Sequence, residues 1–205
     1  MRLGKISMIL VQLLHSGLHS DFDVFVGEKR IGIHKSIVAF KSEFFASMFR
    51  HTNTKEMMTG RIDIMDADYE DVFEMFRWIY NGPIPEDVDK IGKLMELADR
   101  FLVEDLPKAC EAKLYEKLKA NIYNNACKVL MIAHRMDLKH LREKAIVEAM
   151  KLTLSNTPGG KEILAHDVLR KEIGIRLFKS FEDRIEELPM DLRRPLILIK
   201  QALEL

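Results

Sequence analysis

Seven histidines, two cysteines and 32 Asp and Glu residues are the side chains here best suited to holding metals, attacking a carbonyl or moving protons. His15 and His19 form the one histidine pair four residues apart, a spacing that puts two imidazoles on one helix face. A protein zinc site uses at least three protein ligands, and no third ligand accompanies this pair. The other histidines, His34, His51, His134, His140 and His166, are scattered. Cys110 and Cys127 lie far outside CxxC spacing and sit among apolar residues in helical segments. They read as buried free thiols in a reducing compartment, cytoplasmic and/or nuclear. No HExxH, GxSxG, GxGxxG or GxxxxGK[ST] motif occurs. Paired carboxylates such as Glu186-Glu187 fall in charge-rich helical stretches, where water solvates them. The residues thus indicate no catalytic site, no cofactor and no metal, and point away from an enzyme.

The charge balance narrows the partners. Lys and Arg number 32 against 32 Asp and Glu, for zero net charge and a pI near 7.1. Nucleic acids and anionic membranes are bound chiefly by concentrated cations, so neither is expected as a partner. No stretch approaches the roughly 20 apolar residues of a membrane span. Hydrophobic residues make up 47% of the chain, enough for a packed core. At 205 residues it can bury roughly 70% of its unfolded surface without disulfides.

The elements that would position any site follow from periodicity. Ile6, Ile9, Leu10, Leu13 and Leu14 form a helical stripe within residues 6–18. Asp23–His34 reads as a β hairpin turning at Gly27-Glu28-Lys29. Residues 35–49 are helical, with Ser42 able to cap a second helix. Residues 50–60 lack aliphatic branched side chains and read as a loop, and 61–65 alternate as a third strand. A helix starts after Asp66-Ala-Asp68 and stops at Asn81-Gly-Pro-Ile-Pro85. Beyond residue 86 only helices are expected, at about 87–102, 104–118, 122–135, 138–152, 161–170 and 172–187, with Asp105, Asn121 and Asp137 as caps. Ile122, Ala126, Val129, Leu130 and Ala133 form a core stripe. The class is α+β, mixed first and all-helical afterwards.

Several segments in order carry a family resemblance. Ser20-Asp21, the hairpin, His34-Lys35 and Ser42-Glu-Phe-Phe-Ala-Ser-Met-Phe49 come first. Trp78-Ile-Tyr-Asn-Gly82 and Leu94-Met-Glu-Leu-Ala-Asp-Arg-Phe101, then Leu106 and Cys110, follow. Together they resemble the BTB/POZ family over about residues 10–118. Asn121–Lys151 is similar to the paired helices called the 3-box, which open the BACK region of cullin-3 ubiquitin-ligase adaptors. The likeness extends to the MATH-BTB (speckle-type POZ) adaptors, but the roughly 20 residues before Asp21 are expected to leave no room for a MATH domain. The organisation expected is a BTB/POZ domain over 1–118, a 3-box and partial BACK region over 119–188, and a tail over 189–205.

The resemblance implies a protein–protein interaction module, dimeric, acting as adaptor or scaffold of a cullin-3 ubiquitin ligase. An alternative is a BTB protein that pairs with itself or other BTB proteins, or recruits transcription regulators, without a ligase. It assigns the stripe Ile6, Ile9, Leu10, Leu13 and Leu14 to a dimer interface, with Asp21 and Lys35 as a mostly buried charged pair near the seam. By position it assigns cullin contact to Glu56, Met57, Met58, Tyr80 and Tyr123. Thr54 stands where the hydrophobic residue of the adaptors' hydrophobic-x-Glu motif falls, and Met57 and Met58 follow as flexible apolar substitutes. His34 is expected to satisfy backbone groups rather than to act chemically.

Overall fold

The computed structural model describes residues 2–120, 122–151, 165–166, 168–169 and 171–175. The chain divides into two compact units, Met1–Glu116 and Lys117–Leu205. The first contains α1 (Arg2–Ser16), β1 (Phe22–Val26), β2 (Lys29–Ile33), α2 (Lys35–Lys41), α3 (Glu43–Arg50), α4 (Lys55–Thr59), β3 (Arg61–Ile64), α5 (Tyr69–Ile79) and α6 (Val88–Arg100). Then α7 (Leu106–Ala120) runs across the division, and α8 (Ile122–Arg135) and α9 (Lys139–Lys151) belong to the second unit. The expected helices at 161–170 and 172–187 lie mostly outside the described residues, and the 189–205 tail lies wholly outside them.

The sheet is small and mixed, ordered β2-β1-β3. β1 and β2 are antiparallel, pairing Asp23 with Gly32 and Val24 with Ile31, while β3 runs parallel to β1. Alternation decides the inner face: Phe22, Val24, Val26, Ile31, Ile33 and Ile64 are buried. The hairpin turns on Gly27-Glu28, with Gly27 at φ +60, and Lys29 already opens β2. Beyond residue 86 the extended pairing among described residues is a single bridge between Ser42 and Val103.

Ser42 divides α2 from α3, as its residue type suggests. Its backbone is extended, its Oγ accepts from the Phe45 N–H and donates to the Phe101 carbonyl, and it is itself buried. That bond seats α3 so that Phe45 enters the core. The Phe45 ring stacks on Phe101 at 5.7 Å and meets Phe76 at the same distance.

Two local expectations are corrected. Residues 50–60 are not all loop, because Thr54 caps the short helix α4: its Oγ accepts from the Met57 N–H, and left-handed Gly60 ends the helix. The lack of branched aliphatics hid a helix that needs only a cap and a stop. Asp137 does not cap α9. It sits at φ +50 just past α8, where the Leu138 N–H reaches back to the Ala133 carbonyl at 2.8 Å and closes α8. In the second unit the expected stripe is core: Ala126, Val129, Leu130 and Ala133 are buried, as are Leu141, Ala145 and Ile146 of α9.

Candidate protein-interaction surfaces

A groove opens on the outer side of α3. Its apolar lining comes from Phe44 and Met48 of α3, Ile62 of β3 and Leu102 after α6, with Glu43 and Glu56 as its acids and a volume of about 510 Å³. The face exists because Ser42 rotates α3 to bury Phe45, which turns Phe44 and Met48 outward. Phe44 is held edge-on to Phe101 at 5.3 Å. His51 closes one end, its Nδ1 bonded to the Ser47 carbonyl.

Leu102 has an unusual backbone. It lies at φ +48 as the residue that terminates α6, where the Val103 N–H bonds the Ala98 carbonyl at 2.9 Å. Glycine is the ordinary residue there, since a side chain crowds the left-handed conformation. Yet the site holds leucine, and it is 52% exposed.

Of the residues assigned by position to partner contact, Glu56 lines the groove and Met57 is half-buried in α4. Met58 is 79% exposed. Tyr123 belongs to α8, but its side chain lies outside the described ones.

Tyr80 is a correction. It is 0% exposed and cannot touch a partner. Its hydroxyl accepts the His34 backbone N–H at 2.8 Å and lies 2.8 Å from His34 Nδ1. The His34 Nε2 is 2.8 Å from the Leu18 carbonyl. A carbonyl only accepts, so Nε2 carries a proton and donates it to Leu18. Tyr80 thereby ties the end of α5 to the β2–α2 junction and, through His34, to the turn after α1. His34 satisfies a backbone carbonyl, as expected. Burial pushes the Tyr80 phenol up to about 12; the His34 N–H opposes this and the nearby Asp21 charge adds to it.

The N-terminal stripe splits between two surroundings. Leu14 is buried in its own domain and Leu10 and Leu13 are half-buried, whereas Ile6 and Ile9 are 53% and 62% exposed. Helical geometry accounts for Ile9, which lies about 100° round the helix from Leu10, whereas Ile6 is one turn before Leu10 on the same side and is exposed nearer the start of α1. Packing fixes the helix through His15, whose ring meets Phe73 at 5.0 Å, and through Ser7, which donates to the Asn81 carbonyl.

The expected buried pair of Asp21 and Lys35 is also corrected. Asp21 is exposed, and its carboxylate accepts the Lys35 backbone N–H at 2.8 Å. The Lys35 ammonium instead lies over the rings of Phe22 and Phe49, at 5.5 and 6.0 Å. The carboxylate caps the start of α2 rather than neutralising the side chain.

The BTB/POZ domain family matches residues 10–118, more than half of the chain. This chain belongs to that family. BTB/POZ domains are protein–protein interaction modules that self-associate and bind other BTB proteins. Protein maternal effect lethal 26 of Caenorhabditis elegans is 32% identical over 156 residues, covering 75% of this chain and 39% of that protein. Mouse TD and POZ domain-containing protein 4 is 31% identical over 137 residues, covering 66% of this chain and 36% of that protein. Among solved structures, the BTB domain of zebrafish PATZ1 matches at 18% identity and a TM-score of 0.46, covering 55% of this chain and 90% of that one. The BTB/POZ chain therefore spans well under half the length of these two relatives.

Two features of this BTB/POZ chain escape a reading of the sequence. Phe40 is 84% exposed, although it is an apolar residue in the helical 35–49 stretch. The signal was phase: two residues after buried Val38, it points about 200° away. Leu102 reads as the last residue of a helix, and only the backbone shows it as an exposed stop. The remaining chemistry is quiet. Cys110 and Cys127 are buried free thiols, and burial pushes Cys110 up to about 12, far from a usable thiolate. No group of three metal-binding side chains forms among the described residues, and no described helix is long and apolar enough to cross a membrane.

Proposed function

We propose that this chain is a dimeric adaptor or scaffold of a cullin-3 ubiquitin ligase, with no catalysis of its own. The observation that carries the reading is the groove, an apolar recess with Glu56 on its wall and exposed Met58 on the adjoining helix. Of the residues the family resemblance assigns to cullin contact, Glu56 lies in its lining. An apolar recess with a polar rim is the anatomy of a protein-docking surface. The exposed Ile6 and Ile9 of α1 supply apolar area for pairing with a second BTB chain. They equally support the alternative, a protein that pairs with itself or other BTB proteins without a ligase.

Titration calorimetry with the purified amino-terminal region of cullin-3 separates the two. The adaptor reading expects micromolar or tighter binding, lost in Leu102→Asp and weakened in Met58→Asp. Absence of heat and of co-elution at tens of micromolar (about 6 kcal/mol of association energy) would sink it and leave the pairing reading.

A further inference from the structure

The groove beside α3 does not stand alone. A shelf of about 310 Å³ adjoins it, sharing Glu43 and Leu102 and adding Asp99, Val103, Glu104 and Pro107. Leu102 is the exposed apolar ridge between the two. The combined lining holds four carboxylates, from Glu43, Glu56, Asp99 and Glu104, and no Lys or Arg. In a chain with 32 cations against 32 anions, that is a local departure from balance. Glu43 is paired with Arg50. Glu56, Asp99 and Glu104 enter no ion pair among the described residues, and they stand on separate elements around the ridge.

We infer that the occupant of this double recess is a partner segment with apolar side chains for the Leu102 ridge, flanked by Lys or Arg side chains that meet Glu56, Asp99 and Glu104. The inference rests on the groove being a docking face and states the chemistry of what docks. Three carboxylates around an apolar recess attract a cationic segment, speed its encounter and reject an acidic one. The apolar centre supplies the anchoring and the charged rim the selection. Leucine at a position suited to glycine fits this division, because its side chain contributes to a surface rather than to the core.

Fluorescence anisotropy on the full chain tests the proposal with three labelled helical peptides of equal length. One has leucines at i and i+4 flanked by lysines. The second keeps the leucines with glutamates as flanks. The third keeps the lysines with serine in place of leucine. The first should bind, weaken with added salt, and lose about tenfold or more on the E56Q/D99N/E104Q variant. The second and third should bind at least about tenfold more weakly than the first. Leu102→Gly supplies a check that does not threaten folding, since it relieves the left-handed backbone while removing the ridge. It should lower affinity for the first peptide with no loss of thermal stability. Equal binding of lysine- and glutamate-flanked peptides, equal binding of the serine peptide, or an unchanged affinity on the amide variant would each overturn the inference. Cullin-3 binding that is indifferent to salt and to the amide variant would also overturn it, while leaving the adaptor reading intact.

Discussion

Tyr80 and the groove around Leu102 are both bound up with the expected partner surface, and the fold treats them oppositely. Tyr80 is enclosed and spends its hydroxyl on His34. Leu102 is held on the outside, on a backbone that leucine does not favour. The first region shapes the surface without belonging to it. The second is surface and adds little to the core. A residue assigned by position to binding can therefore act by contact or by holding other residues in place, and burial tells which.

Three substitutions sharpen that contrast. Phe45→Ala, beneath the groove, removes a fully buried ring that touches Phe76 and Phe101. It should cost about 3–5 kcal/mol in urea unfolding, and peptide or partner binding should fall only as the folded fraction falls.

Tyr80→Phe comes next. It strands the His34 N–H and should cost about 1–3 kcal/mol while leaving groove affinity per folded molecule unchanged. Altered affinity without altered stability would mean that Tyr80 acts at the surface after all. The pH dependence has a defined sign. The folded phenol is raised from the ordinary 10 to about 12, so its contribution is fully present below pH 10 and is lost as pH rises through 12. Relative to Tyr80→Phe, the parent should lose stability over that window, on the order of 2–3 kcal/mol. Denaturant midpoints of the two proteins, with phenolate absorbance as the titration readout, measure the difference.

Ile9→Glu should have the smallest effect on stability, within about 0.5 kcal/mol, because the side chain is already exposed on α1. Its effect should fall on assembly. Sedimentation should shift from a dimer toward a 23.8 kDa monomer. A parent protein that already sediments as a monomer would remove α1 from the interface.

Much of the scaffold was legible because local rules and packing agree. Alternation marked the hairpin and β3, Ser42 marked the break between α2 and α3, and Asn81-Gly82 marked the end of α5. Asn81 does sit at φ +64 there, and a Cβ on Gly82 would lie 2.7 Å from the Arg77 carbonyl. What misled was position taken for exposure. The Ile6–Leu14 stripe has a single period but two environments, and α4 was too short for periodicity to register. Asp21 and Lys35 carry opposite charges, yet the carboxylate found a backbone N–H closer to hand.

Residue types and spacing by themselves determined that this chain builds a small mixed sheet among helices, that its charges balance, and that no familiar catalytic motif is written into it. These properties are short-range or compositional, and a linear string carries them in full. Only the tertiary structure decided that Tyr80 is enclosed while Phe44, Met48 and Leu102 line an outer groove. That choice depends on elements far apart in sequence: Phe101 receiving the Ser42 hydroxyl, Tyr80 reaching His34, and the stop of α6 lifting Leu102 beside Glu43 and Glu56. The groove is a product of those distant contacts, which is why its acids and its leucine ridge become one surface only after the chain has folded.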